Sequence, residues 1–286
     1  MNMRLTGCFF VLIFSALLCS AGMVNAGSAL TLGIHPYLPA TELVDRFTPL
    51  SDYLGKAAGR PIVIDIARDY KEHIDKIGNN KIDVAFMGPV SYVKLVEKFG
   101  RKPILARLEV TGKPTFMGAI ITAKNSGIKT LADLKGKRFA FVDPESTMGH
   151  LVPRYMMLKA GVGVEDLSGY KFLYNHHNVA LGVLAGDFDA GAVKEDVFYE
   201  YEKRGLRALA WTPSISEHVF VTSPLLSKEK IRALKEALLR LKDNKEGRAI
   251  MLKIQETLTG IVPAADSDYD NLRVIIRTLE KSGVSP

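Results

Sequence analysis

Phe116-Met117-Gly118-Ala119-Ile120-Ile121-Thr122 is apolar, extended in character and free of charge, and it lies where one series of alternating strand-like and helix-like segments gives way to another. A second such stretch, His218-Val219-Phe220-Val221-Thr222, lies where the second series ends. Two crossings between two units predict a middle lobe inserted into a lobe built from both ends of the chain. The expected division is lobe 1 over 27–116 plus 218–286 and lobe 2 over 117–217. Two lobes on two strands form a hinge, and a cleft between lobes is where ligands usually bind.

Outward from the crossings the rhythm is regular. Strand-type runs occur at 30–34, 61–66, 83–86 and 104–108, with helical stretches over 41–58, 69–79 and 89–99 between them. Beyond the first crossing come strands at 138–142, 170–173 and 189–193, with helices at about 147–160 and 177–186. This predicts an α/β protein with two lobes, each a mostly parallel sheet flanked by helices, hinged by the two crossing strands. After about 215 the chain returns to helices; in 227–242 the apolar positions Ile231, Leu234, Leu238 and Leu241 share a face.

Composition narrows the class. The 286 residues are 47 % apolar and 24 % charged, which excludes a disordered chain. Both cysteines, Cys8 and Cys19, fall in the first twenty residues, inside a stretch with Arg4 as its sole charge, an apolar run from Cys8 to Phe14, and small residues ending at Ala26. Residues 1–26 therefore read as a signal peptide cleaved near Ala26, leaving a cysteine-free mature chain suited to the periplasm. A lipid anchor at Cys19 is the weaker alternative, because Leu18 before it is larger than such sites favour. The net charge of +7 is scattered, with Lys242, Lys245 and Arg248 read as an exposed basic face, so no nucleic-acid partner is expected. Nucleophile elbow, zinc signature and phosphate loop are all missing, so neither catalysis, cofactor nor metal is expected.

The strongest local signal is Asp143-Pro144-Glu145-Ser146-Thr147-Met148-Gly149-His150-Leu151-Val152-Pro153, directly after a predicted strand. Ser146 or Thr147 is a natural N-cap, and a helix start offers unpaired N–H groups and the positive end of the dipole. Such a place can hold an oxyanion with neutral donors alone. Lys194-Glu195 reads as a solvated helix start. His35-Pro36-Tyr37, following the first strand, is a candidate edge of the cleft.

This motif resembles the signature Asp-Pro-x-Ser-Thr-Ser-Gly, followed shortly by Pro, of the periplasmic phosphate/phosphite/phosphonate-binding proteins of ABC transporters, which have the type II solute-binding fold. Asp83-Val84-Ala85-Phe86-Met87-Gly88-Pro89 and Leu131-Ala132-Asp133-Leu134-Lys135-Gly136-Lys137 extend the likeness over the mature chain. The resemblance implies a monomeric protein that captures a small oxyanion and hands it to a membrane permease, or a sensor of the same fold docking on a histidine kinase. It implies ligand contacts at Ser146, Thr147, Gly149, Tyr70 after Asp69, Asp196 beside Glu195, and His177, where a shift of one would choose His176. The family's third hydroxyl is Met148 here, a family tyrosine is Phe116, and the place of an amine-binding aspartate is taken by Glu217-His218. Those departures point away from an aminoalkylphosphonate and toward phosphate, phosphite or methylphosphonate, or an unrelated anion of that shape. Tyr37, Met87, Tyr92, His150, His176 and His218 complete the candidate set.

Overall fold

A computed structural model describes residues 28–282; the signal-peptide reading and Cys19 lie outside the described residues. The first half of the chain runs β1 (Leu30–Ile34), α1 (Ala40–Ala58), β2 (Ile62–Ile66), α2 (Tyr70–Gly78), β3 (Val84–Met87), α3 (Pro89–Phe99) and β4 (Ile104–Val110). After β5 (Thr115–Phe116) come β6 (Gly118–Ala123), β7 (Arg138–Phe141), α4 (Val152–Lys159), β8 (Gly169–Phe172), α5 (His176–Leu184), β9 (Ala190–Lys194), α6 (Glu195–Glu202) and β10 (Leu206–Trp211). The chain closes with β11 (Ile215–Ser216), β12 (Val219–Thr222), α7 (Lys228–Leu239), α8 (Lys245–Ile254), β13 (Leu258–Val262) and α9 (Asp270–Lys281).

One sheet has the order β13-β4-β12-β3-β1-β2 and the other β10-β6-β9-β7-β8. In the first, β1 to β4 point one way while β12 and β13 oppose them. In the second, β7 to β10 point one way and β6 opposes them. The opposed strands β6 and β12 are those that enter each sheet from a crossing, and each is wedged between two strands of the other direction. Strands β3, β9 and β12 are buried along their whole length, as apolar strands covered on both faces must be.

The crossings are shorter than the sequence suggests. Only Thr115–Phe116 and Ile215–Ser216 bridge the sheets, pairing antiparallel with Phe116 opposite Ile215. Gly118–Ala123 and Val219–Thr222 already belong to their sheets, because the same apolar run continues from hinge into core.

The helix expected at about 147–160 opens as a π turn over Thr147–Leu151 before α4. Leu151 N–H donates to Ser146 carbonyl at 3.1 Å, five residues back. Pro153 has no N–H to give to the Gly149 carbonyl, which instead accepts from Val142 N–H at 3.1 Å. The turn is thus tied to the end of β7. Gly149 is required there by space: a Cβ would fall 2.3 Å from Val142 Cγ2 and 2.7 Å from Ser146 Oγ.

The loops that follow parallel strands gather on one side of each sheet, where open α/β sheets hold ligands. After β1 comes His35, after β2 Asp69-Tyr70, after β3 Gly88, after β7 Asp143–Thr147, after β8 Asn175-His176, and β9 ends in Lys194. Asp69, Ser146 and Asn175 cap the helical turns that begin there, accepting from Glu72, Gly149 and Asn178 N–H at 2.7, 3.1 and 2.9 Å. We predict that Gly149→Ala destabilises the protein by about 1–3 kcal/mol through overpacking. A urea unfolding midpoint indistinguishable from wild type would contradict this packing.

Candidate functional site

These strand-end loops enclose a cavity of about 10 Å³, lined by residues from both sheets and the hinge. The first sheet contributes His35, Tyr70, Gly88 and His218; the second contributes Ser146, Thr147, Met148, His176 and Lys194; the hinge contributes Phe116. The two halves are bonded across the cleft. Val90 N–H, in the first turn of α3, donates to Thr147 Oγ1 at 3.0 Å, and His176 N–H donates to the Tyr37 carbonyl at 3.4 Å. Tyr70 and Ser146 line the cavity from opposite lobes. Since the Thr147 oxygen accepts from Val90, its hydroxyl proton is left to donate elsewhere.

The charged member is Lys194, which sequence reasoning placed on a solvated helix start. The structure corrects this: Lys194 is 4 % exposed, because β9 lies between β6 and β7 and ends beneath the hinge. Its ammonium lies 3.4 Å from Asp196 Oδ2 and 3.4 Å from Gln255 Oε1, with the ring centroids of Phe116 and Tyr37 at 5.5 and 5.8 Å. Burial alone would lower its pKa, but Asp196 and Glu217 outweigh that and raise it, so it stays charged. An anion site here does not rely on neutral donors alone.

Three histidine rings line the cavity. His176 Nδ1 accepts the Lys194 backbone N–H at 3.1 Å, so the proton of the neutral ring sits on Nε2, a donor. His218 Nδ1 donates to Glu217 Oε2 at 2.7 Å, and its ring stacks on Phe86 at 5.3 Å. His35 stacks on Tyr37 at 4.8 Å and meets the Tyr70 ring edge-on at 5.1 Å. Burial lowers all three pKa values, that of His176 to about 3. Burial likewise pushes the Tyr70 hydroxyl well up, so it remains a donor.

The other candidates divide clearly. Ser146, Thr147, Tyr70, Phe116, His176 and His218 line the cavity together. His177 does not; it is 3.4 Å from the Tyr201 hydroxyl and, with Asp196, lines a neighbouring groove of about 870 Å³. The helix period decides between adjacent residues, and it turns His176 inward. Asp196 meets the site through its ion pair with Lys194: burial would raise its pKa, but Lys194 and His176 hold it below the ordinary value. Gly149 serves packing, and its N–H is taken by Ser146 Oγ. Tyr37 lies behind His35. Met87 is core; the Tyr92 hydroxyl donates to Asp266 at 2.8 Å, away from the cavity; His150 bonds the Pro144 carbonyl at 2.8 Å and packs edge-on to Phe141 and Phe172. Met148 lies against Gly118, where a Cβ would fall 2.6 Å from its own Cβ, so the residue standing in for a hydroxyl fills the exit of the hinge. Among the described residues no cluster of three or more His, Cys, Asp or Glu could hold a metal ion.

Two α/β lobes on a paired-strand hinge, with loops of both converging on a cleft, form the two-lobed fold of type II periplasmic binding proteins. Residues 32–269 match the sequence model of a family described as the phosphonate periplasmic substrate-binding protein of ABC transporters, and the chain belongs to that family. It is 29 % identical over 269 residues to the phosphate-import protein PhnD of Mycolicibacterium smegmatis, covering 85 % of this chain and 84 % of that one. It is 25 % identical over 293 residues to a probable phosphite-binding protein PhnD1 of Prochlorococcus marinus, covering 95 % and 98 %. The structure of PhnD1 from that organism in complex with methylphosphonate matches with a TM-score of 0.81 at 24 % identity, over 88 % of this chain and 98 % of that one.

Buried neutral histidines make the fold sensitive to acid. His176 and His150 titrate near 3 and His73 near 4, each lowered chiefly by burial, and His35 is lowered well below 6.5 for the same reason. Unfolded, all four would bind protons at about 6.5. Their stability is therefore full above about pH 6.5 and is lost as the pH falls toward their folded values, at about 1.4 kcal/mol per unit for each ring. Asp143, raised by burial to about 6, opposes this, as do Glu97 and Glu195, both also raised chiefly by burial. The melting temperature of the unliganded protein is expected to drop steeply between pH 6.5 and 4.5. A flat profile over that interval would refute the burial of these rings as neutral species.

Proposed function

We propose that this protein captures a small phosphorus oxyanion (phosphate, phosphite or a small phosphonate) in the interlobe cavity and delivers it to the membrane permease of an ABC transporter. Members of its family are periplasmic substrate-binding transport proteins, which supports delivery to a permease over sensing. On this reading the mature protein acts in the periplasm after loss of residues 1–26, as a monomer, and without catalysis. Lobe 1 comprises residues 27–116 and 218–286, and lobe 2 residues 117–217.

The observation that carries the reading is the convergence of one buried ammonium, Lys194, with the hydroxyls of Ser146, Thr147 and Tyr70 on a cavity between the lobes. The Lys194 ammonium supplies the charge; the hydroxyls and the His176 Nε2–H supply directional donors. Hydrogen bonds to a charged group are worth about 1.5–3 kcal/mol each, so three or four of them support micromolar affinity, about −8 kcal/mol.

Isothermal titration with phosphate, phosphite and methylphosphonate tests the reading. At least one should bind at micromolar or tighter affinity, with Ser146→Ala weakening it about tenfold and Lys194→Met by roughly a hundredfold or more. Absence of heat with all three in the folded protein would overturn it.

A further inference from the structure

His35 is the one cavity-lining histidine whose ring nitrogens are both buried and without a hydrogen-bond partner. His176 and His218 each have Nδ1 fixed, by the Lys194 N–H and by Glu217. A neutral imidazole is always one donor and one acceptor, and burying both without partners is costly, so an unpaired ring at a cavity wall is explained by what the cavity binds. The space beside the ring is kept by Gly88. A Cβ there would lie 3.4 Å from His35 Cε1 and 3.8 Å from Thr147 Oγ1, filling the gap between the two.

The rest of the lining is rich in donors. Lys194, Thr147 and the His176 Nε2–H all give protons; of the two nearby carboxylates, Asp196 is paired with Lys194, and Glu217 is bonded to His218 through Oε2 while its buried Oε1 has no partner. One cation against two carboxylates leaves the buried charge negative before any ligand enters, so a dianion is disfavoured unless a proton comes with it. We propose that His35 shares one proton with the bound oxyanion, and that this makes it the residue that accepts a phosphorus oxyanion and rejects a sulfonate. A phosphonate or phosphate has an exchangeable P–OH to give to the imidazole, or can leave its proton there as imidazolium; an alkylsulfonate of the same shape is a monoanion with no proton to share.

The groups facing the ring are compatible with this. Tyr37 lies on its own loop, Tyr70 and His73 on α2, Phe86 on β3, and His218 just before β12; His176 and Lys194 approach from the second sheet. Burial first, and the Lys194 ammonium beside it, keep the unliganded ring neutral and hence an acceptor. Only an arriving anion reverses that balance.

The inference rests on the oxyanion reading, and the two fail differently. Wild-type protein, His35→Phe and His218→Phe would be titrated with methylphosphonate and methanesulfonate, at a pH where methylphosphonate is dianionic and in two buffers of different ionisation enthalpy. The expected wild-type result is uptake of about one proton per methylphosphonate and binding of methanesulfonate weaker by roughly a hundredfold or more. In His35→Phe, which keeps the ring stacking, the uptake should vanish and the preference shrink to about tenfold or less, whereas His218→Phe should keep the uptake. Methylphosphonate binding by wild type without proton uptake, or uptake that survives in His35→Phe or is lost only in His218→Phe, overturns the inference and leaves the oxyanion reading standing. No binding of methylphosphonate, phosphite or phosphate overturns both. If His35→Phe does not fold, ¹⁵N spectra of histidine-labelled wild type decide: a His35 ring nitrogen must shift toward the protonated range on addition of methylphosphonate, and an unmoved His35 overturns the inference.

Discussion

The buried ammonium of Lys194 is the constraint around which the two lobes are arranged. Removing such a charge from water costs several kcal/mol, so it persists only where compensating groups are fixed around it. Those groups come from different parts of the chain: Asp196 at the start of α6, Gln255 after α8, Glu217 after β11, and the ring faces of Phe116 on β5 and Tyr37 after β1. The second lobe carries the lysine and its nearest carboxylate, Asp196, while the first lobe and the hinge supply Glu217, Gln255 and the two ring faces. The bonds from Val90 to Thr147 and from His176 to the Tyr37 carbonyl span the same cleft. Bringing the lobes together therefore completes both the compensation of the cation and the wall of the cavity.

The π turn at Thr147–Leu151 shows how sequence details serve that cleft. Pro153 withdraws one N–H from the ladder, the freed Gly149 carbonyl is taken by Val142, and Gly149 itself lacks the Cβ that would strike Val142. The outcome is a helical start anchored to the end of β7, with the Thr147 hydroxyl held against the first turn of α3. Local π geometry of this kind is uncommon and is often found at functional sites.

Much of this was legible in the chain. The strand–helix rhythm, the alternation of lobes and the Ser146-Thr147 helix start follow from local periodicity and capping chemistry. What was not legible depends on contacts distant in sequence. Lys194 followed by Glu195 and Asp196 looks like a solvated helix start, and its burial arises from the insertion of β6 beside β9 and from the hinge above it. His177 and His176 differ by a third of a helical turn, and only the observed start of α5 sets their directions. Tyr92 sits in a stretch typical of a cleft helix, yet its hydroxyl is drawn to Asp266 at the opposite end of the chain. The +7 net charge gave no hint of the one lysine that matters, because a single buried cation is invisible in a sum dominated by the surface.

The most direct test of this account is a crystal structure of the protein with bound methylphosphonate or phosphate. The phosphorus oxyanion is expected between the lobes, with oxygens at about 2.7–3.0 Å from Lys194 Nζ and Thr147 Oγ1. An oxyanion seated instead in the neighbouring groove beside Arg46 and Lys253, with Lys194 bonded only to Asp196 and Gln255, would contradict it.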